Sequence, residues 1–382
     1  MFLLPAPPPT AYVWRLEKGD PPSPESRART NGNTAVPIVK FFGVAPIRFL
    51  DSAGAAEPAA TRASFGRTVA TAQYMEELGF DGFGVGERHH WPFLSSAPPV
   101  VLAHVAALTS RIRLFTGVTL LSMLDPVRVA EDYATLDQLS GGRLELIVGK
   151  GAGPGGAMFG LAPDEQRPAL ADNFRLLHEL WTSDEVSWPA GRRPRLDGVR
   201  TLPRPLRGRP RIWHGSSSSA ESVALAAEYG DPVVFSNAGP SSESARPLVE
   251  HYRAEWARRG RPADRLFTGA GTPGFLVAKT SQAAIAAYRP AYERLTAMQR
   301  GIGARPAFPT VEEFVARSPA LVGSPEQVID KVGRQHEVFG HSLVVVSVDP
   351  DGLSEHDHRT SLELFATEVA PVLRTALPDP PP

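Results

Sequence analysis

The 382-residue chain is long enough for one large core or two domains; a barrel of alternating strands and helices takes about 250 residues plus insertions. A net charge of −1, from 40 basic and 41 acidic residues, leaves no overall basic field to hold nucleic acid or an anionic membrane. The absence of cysteine excludes disulfides, thiolate catalysis and cysteine-type zinc sites, and no apolar run approaches the ~20 residues of a membrane span.

Residues 1–35 read as an irregular extension, polar and Pro-rich from Gly19 to Asn33. The start, Met-Phe-Leu-Leu-Pro-Ala-Pro-Pro-Pro, has no basic n-region and is a poor signal peptide, so a cytoplasmic protein is expected. Ile38 to Val44 is a candidate buried strand. Thr61 to Leu78 reads as a helix, with Phe65, Val69, Ala72 and Met75 on one face and Gly79 just past its end. Phe80 to Gly86 enters a second strand, which exits into Glu87-Arg88-His89-His90-Trp91. A helix (Pro99 to Ser110) and a third strand (Arg113 to Leu121) follow. Asp125 is a natural N-cap with Pro126 at the first helical position, for a helix to Leu139. Ser140-Gly141-Gly142 stops it, and Arg143 to Val148 is strand four, opening into Gly149-Lys150-Gly151.

Leu170 to Trp181 is helical, and Ser183 to Pro210 is a long polar connection. Arg211 to His214 is strand five, leading through Gly215 and four serines into a helix to Tyr229. Asp231 to Ser236 is strand six, Pro247 to Arg259 a helix, and Thr272 to Ala278 strand seven. Gln282 to Phe314 holds a helix and an insertion. Ser324-Pro325-Glu326-Gln327 is a capping box opening a helix to Phe339. Leu343 to Val348 is strand eight, and Leu362 to Leu373 a closing helix. Residues 36–376 thus form a single domain, with a Pro-rich tail at 377–382. About eight strands, nearly all followed by helices, predict a parallel sheet closed as a (β/α)8 barrel. No Gly-x-Gly-x-x-Gly follows the first strand, which weakens a doubly wound dinucleotide-binding alternative.

In such a barrel the loops after the strands share one face. Four exits here are unusual: His89 and His90, Ser122 to Asp125, Gly149-Lys150-Gly151, and Ser216 to Ser219. Each alone has an ordinary structural reading: an exposed histidine pair, a helix cap, a solvated lysine. Together they converge on one point. The serine run before a helix offers hydroxyls and unpaired amides to an anion, and Lys150 supplies positive charge, which points to a phosphate-bearing cofactor. The Gly-Lys lacks Walker spacing, and His, Glu and Asp are too scattered to propose a metal site.

Four segments resemble the bacterial luciferase-like family of flavin-dependent monooxygenases and oxidoreductases: residues 77–90, 125–143, 322–328 and 365–374. The likeness spans about Ile38 to Arg374. It implies the family's eight-stranded barrel and a site for reduced FMN, or in some branches an 8-hydroxy-5-deazaflavin coenzyme, at the carboxyl face. By the resemblance, Lys150 is the cationic phosphate ligand, in place of a frequent Arg. Ser218, Ser219 and Ser222 form the phosphate-binding turn. Gly117-Val118 falls where relatives carry a non-proline cis peptide beneath the flavin, and Gly149 faces the reactive flavin carbon. The active-site histidine is His89 or His90, an extra residue after Glu87 leaving both as candidates. The implied reaction is oxygenation of a small organic substrate with molecular oxygen through a flavin C4a-peroxide, the FMN being reduced by a separate reductase, in a homodimer. The alternatives are deazaflavin-dependent hydride transfer, a non-catalytic flavin-binding protein, and a barrel that binds no flavin.

Overall fold

A computed structural model describes residues 39–48, 58–151, 155–237, 239–301, 305–348 and 352–377. The expected extension at 1–35 and all of the expected tail except Leu377 lie outside the described residues. In chain order, β1 (Lys40–Ala45) leads to α1 (Pro58–Leu78), β2 (Gly82–Val85) to α2 (Pro98–Leu108), and β3 (Arg113–Thr119) to α3 (Pro126–Leu139). β4 (Leu144–Val148) is followed by the short α4 (Gly155–Met158), α5 (Gln166–Thr182), and two strands, β5 (Val186–Trp188) and β6 (Leu196–Val199). β7 (Arg211–Ser216) leads to α6 (Ala220–Tyr229) and β8 (Val233–Phe235) to α7 (Arg246–Arg258). After β9 (Thr268–Gly271) come β10 (Phe275–Val277), α8 (Ser281–Gly301), α9 (Val311–Arg317) and β11 (Leu321–Gly323). The chain closes with α10 (Pro325–Phe339), β12 (Leu343–Ser347), α11 (Glu355–Leu364) and α12 (Ala370–Ala376).

Eight of these strands close a parallel barrel in the order β1, β12, β9, β8, β7, β4, β3, β2. Side chains alternate between the barrel interior and the helical layer, as strand geometry requires. The interior holds Phe42, Phe115, Ile147, Trp213, Val234, Leu343 and Val345. Glycine makes room for these large groups. A Cβ on Gly82 would stand 2.6 Å from the Phe42 ring, and one on Gly84 would stand 2.6 Å from the Phe115 carbonyl oxygen. The outer layer packs helices on strands through a larger cluster that includes Phe41, Met75, Phe83, Leu102, Phe174 and Phe365.

The caps read from sequence are present. Asp125 accepts the Val127 amide at 2.8 Å, and Ser324 and Gln327 complete a reciprocal capping box. Three expectations need correction. The seventh barrel strand is Thr268–Gly271, not Thr272 to Ala278. Its Thr-Gly-Ala-Gly sequence has weak strand propensity, but Gly269 is required where a Cβ would meet Val234 at 3.0 Å and Leu343 at 3.3 Å. The apolar run at Phe275–Val277 pairs instead with Leu321–Gly323, outside the barrel. The 183–210 connection contains the antiparallel β5–β6 pair. The closing helix is interrupted by a π-helical turn at Phe365–Val369.

At the amino end of β4, Arg143 donates to five acceptors: the carbonyls of Ser140, Ile112, Ala106 and Thr109, and Thr109 Oγ1, at 2.8–3.1 Å. This engages every N–H of the guanidinium. Gly141 and Gly142 before it take φ of +68° and +81°, a left-handed pair that a side chain would strain. Together they explain why the sequence between α3 and β4 reads Ser-Gly-Gly-Arg.

Candidate active site at the carboxyl mouth

The four polar exits noted in the sequence belong to β2, β3, β4 and β7, which are consecutive neighbours around the barrel. Closure of the sheet therefore lines up His89 and His90, Ser122, Gly149-Lys150 and the serine run along one arc. Val148 pairs with His214 across β4 and β7, which sets Gly149-Lys150 beside Gly215-Ser216.

At one end of the arc, Glu87 is 1% exposed. Its Oε1 lies 2.8 Å from His89 Nε2, and its Oε2 accepts the Leu120 amide at 2.9 Å. Burial pushes the Glu87 carboxyl above the usual carboxylate range, against the opposing pull of the Leu120 amide and of His89. The His89 ring meets Phe159 edge-on at 4.7 Å, joining the β2 exit to the segment beyond β4. His90 instead packs on Phe93 at 5.2 Å, and burial lowers its pKa. The structure thus separates the two histidines by environment: His89 is held by a buried acid, His90 by an aromatic ring. Around them Trp91, Met158 and Phe159 are exposed apolar groups, 58%, 68% and 42% accessible.

In the middle of the arc the Gly117–Val118 peptide is cis. The Val118 side chain fills the space left by two glycines: a Cβ on Gly149 or on Gly215 would each lie 3.1 Å from it. Gly149 donates to the Thr119 carbonyl at 3.0 Å. The Ser122 hydroxyl donates to the Lys150 carbonyl at 3.3 Å, tying the β3 exit to that of β4. Lys150 Nζ donates to the Gly151 carbonyl at 3.1 Å and has no acidic partner among the described residues.

At the other end, Ser219 caps α6: its Oγ accepts the Ser222 amide at 3.2 Å, and Ser222 Oγ bonds the same oxygen at 3.1 Å. Ser218 is exposed. The amino end of a helix favours an anion, but here the Ser219 and Ser222 hydroxyls and the Ser222 amide are engaged within the turn. Two groups that the sequence reading did not single out stand here. Glu221 accepts from Ser219 Oγ at 2.9 Å, and Arg167 of α5 pairs with Glu221 at 3.0 Å. Glu221 is held below the usual carboxylate range by its own amide, by Ser219 and by Arg167. Nothing in the local sequence of α5 marks Arg167, because only tertiary packing brings it to α6.

Two more groups escaped sequence reading at the exits of β8 and β9. Asn237 is 4% exposed and has φ +47°, and neither its amide atoms nor the buried Thr272 Oγ1 has a partner among the described residues. Asn tolerates the left-handed region better than most residues.

The family model described as luciferase-like monooxygenase matches residues 39–342. The chain is 30% identical over 329 residues to the 4-hydroxyprotoasukamycin monooxygenase of Streptomyces nodosus subsp. asukaensis, covering 81% of this chain and 86% of that one. A monooxygenase from Streptomyces bottropensis shares the fold at 24% identity with a TM-score of 0.73, over 86% of this chain and 98% of that one. The oxygenating constituent of 3,6-diketocamphane monooxygenase from Pseudomonas putida, solved in complex with FMN, does so at 20% identity and a TM-score of 0.71, over 87% and 98%. An F420-dependent secondary alcohol dehydrogenase shares it at 17% identity and a TM-score of 0.68, over 88% and 99%.

Proposed function

The chain belongs to the luciferase-like monooxygenase family, and on that basis we propose that it is a flavin-dependent monooxygenase that oxygenates a small organic substrate with molecular oxygen. The observation that carries this reading is the arc of four neighbouring strand ends bearing a paired histidine, a close-packed glycine floor, a lysine and a serine-capped helix.

The donor set fits a flavin mononucleotide. Lys150 and the first turn of α6, with Ser218, Ser219 and Ser222, would hold the phosphate, and Arg167 is a second cation able to leave Glu221 for it. Gly149, Gly117 and Val118 would form the floor under the ring. When bound, reduced FMN supplies the activation of oxygen, which is chemistry that no side chain of this protein carries. His89 would hold or deliver a proton. Its Nε2 is fixed on Glu87, which leaves Nδ1 as the ring nitrogen without a partner among the described residues. The Glu87 bridge to the Leu120 amide fixes where that ring stands relative to β3. The apolar rim of Trp91, Met158 and Phe159 suits an organic substrate and limits water at the mouth.

We infer further that the FMN is reduced by a separate enzyme and that the protein is a homodimer. The deciding experiment is anaerobic titration with reduced FMN and with the reduced deazaflavin coenzyme, followed by admission of oxygen. Tight FMN binding with substrate-dependent oxygen uptake is expected. Deazaflavin binding without oxygen uptake would replace the reading by hydride transfer. Stoichiometric flavin binding with no turnover would replace it by a flavin-binding protein.

A further inference from the structure

Behind the exit of β8, the strand that follows β7 in the barrel order, a polar cavity of about 210 Å³ opens. A 3-10 turn at Ser242–Ala245, the turn between α9 and β11, and α10 line it, and it is open to solvent on one side. Its lining includes Lys331, Arg334 and Gln335 of α10. It is larger than one water molecule needs.

The polar inventory of this cavity does not balance. Lys331 Nζ donates to the carbonyls of Val315 and, at 2.7 Å, Ala320, and has no carboxylate partner among the described residues. An ammonium carries three N–H donors, so one stays unassigned. Arg334, also in the lining, is exposed and has no ion-pair partner among the described residues, and Glu243, the acid in the lining, is already paired with Arg246 at 2.8 Å. Gln335 is 3% exposed; its Nε2 donates to the Pro319 carbonyl at 2.9 Å, but its Oε1 has no donor among the described residues. The half-buried Lys331 lacks an anion, and one buried acceptor lacks a donor, among the described residues. Leaving such an acceptor unmade is costly.

We propose that this cavity is a binding site for a small oxyanion that also carries a hydroxyl or N–H donor, such as hydrogenphosphate or a hydroxycarboxylate. The anionic oxygens meet Lys331 and Arg334, and the donor meets Gln335 Oε1. Sulfate has nearly the same size and charge but no donor at neutral pH, so it satisfies the cations and leaves Gln335 unpaired. The burial and the neighbouring Arg334 charge that lower the Lys331 pKa to about 8 give this amine a distinct reactivity by which the site can be read.

The test uses the full chain at constant ionic strength. Lys331 is acetylated at pH 8 by a trace of N-acetoxysuccinimide and its peptide is quantified by mass spectrometry, with potassium chloride, phosphate or sulfate present. Millimolar phosphate is expected to slow labelling of Lys331 by about tenfold, the occupancy effect of a ligand at ten times its dissociation constant. Sulfate should protect less, and Gln335→Met should erase the difference. Labelling of Lys331 that ignores phosphate overturns the proposal. Equal protection by both anions in the unaltered protein overturns the role of Gln335. The readout is local to Lys331, so it stands whether or not flavin binds at the mouth.

Discussion

Glu87 and His89 are joined through Oε1 and Nε2 at 2.8 Å, and the other oxygen of the same buried carboxylate holds the Leu120 amide. One side chain thus orients the imidazole and ties the β2 exit to that of β3. If His89 is the proton-transfer group, His89→Ala lowers substrate oxygenation by about a hundred- to ten-thousand-fold while FMN still binds. His90→Ala has a much smaller effect. Glu87→Gln keeps the shape and removes the charge, so it should reduce kcat and alter the pH–rate profile with little change in the FMN dissociation constant. Steady-state kinetics beside FMN fluorescence titration separate these outcomes; full activity of the His89 variant removes it from the reaction.

Lys150 has no competing carboxylate partner among the described residues, so its charge is available to a ligand. Lys150→Ala removes a charge-assisted hydrogen bond of about 1.5–3 kcal/mol. That corresponds to roughly a 10–100-fold weaker FMN dissociation constant. Arg167→Ala should weaken it less, because that cation must first leave Glu221. An unchanged constant for Lys150→Ala sinks the phosphate assignment.

The barrel interior tolerates glycine at Gly84 because the Phe115 carbonyl lies where a Cβ would go. Gly84→Ala is expected to cost about 1–3 kcal/mol through overpacking. Gly66 on α1 has nothing within 4 Å of its missing Cβ, and Gly66→Ala should gain about 0.5–1 kcal/mol from helix propensity. Urea denaturation of the two variants should move the midpoint in opposite directions.

His341 is completely buried, neither ring nitrogen has a partner among the described residues, and burial lowers its pKa from 6.5 to about 3. The unfolded chain therefore takes up a proton near pH 6.5 that the folded chain refuses. Stability is fully present above that pH and falls as the pH drops toward 3, by at most about 1.4 kcal/mol per pH unit from this group. His341→Leu should flatten the profile between pH 6.5 and 4. Denaturation curves at a series of pH values check the slope, and an identical slope in the variant assigns the acid sensitivity to other groups.

Much of the barrel was legible because its signals are local. Asp125-Pro126 and Ser324-Pro325 are capping chemistry, and the strands they follow or precede are strongly apolar. β9 was misplaced because a barrel interior crowded by Val234 and Leu343 demands glycine, and glycine erases the strand pattern. The positions of Lys150 and Ser219 could be read from strand exits, since exits share a face in this architecture. Glu87 stood in the sequence without a role, and Arg167 and Asn237 drew no notice at all. Their significance depends on burial, pairing or its absence across elements, which no local pattern encodes. The choice between His89 and His90 likewise rests on Glu87 and Phe159, one nearby in the chain and one seventy residues away.

Arg143 and the two left-handed glycines before it have a consequence for how this strand divides its work. They lie at the amino end of β4, the opposite end of the strand from Gly149 and Lys150. The Ser-Gly-Gly-Arg stop is therefore a foundation and not a tool. Changes at the rim can retune what the mouth holds while the guanidinium and its five acceptors keep the strand anchored at its other end.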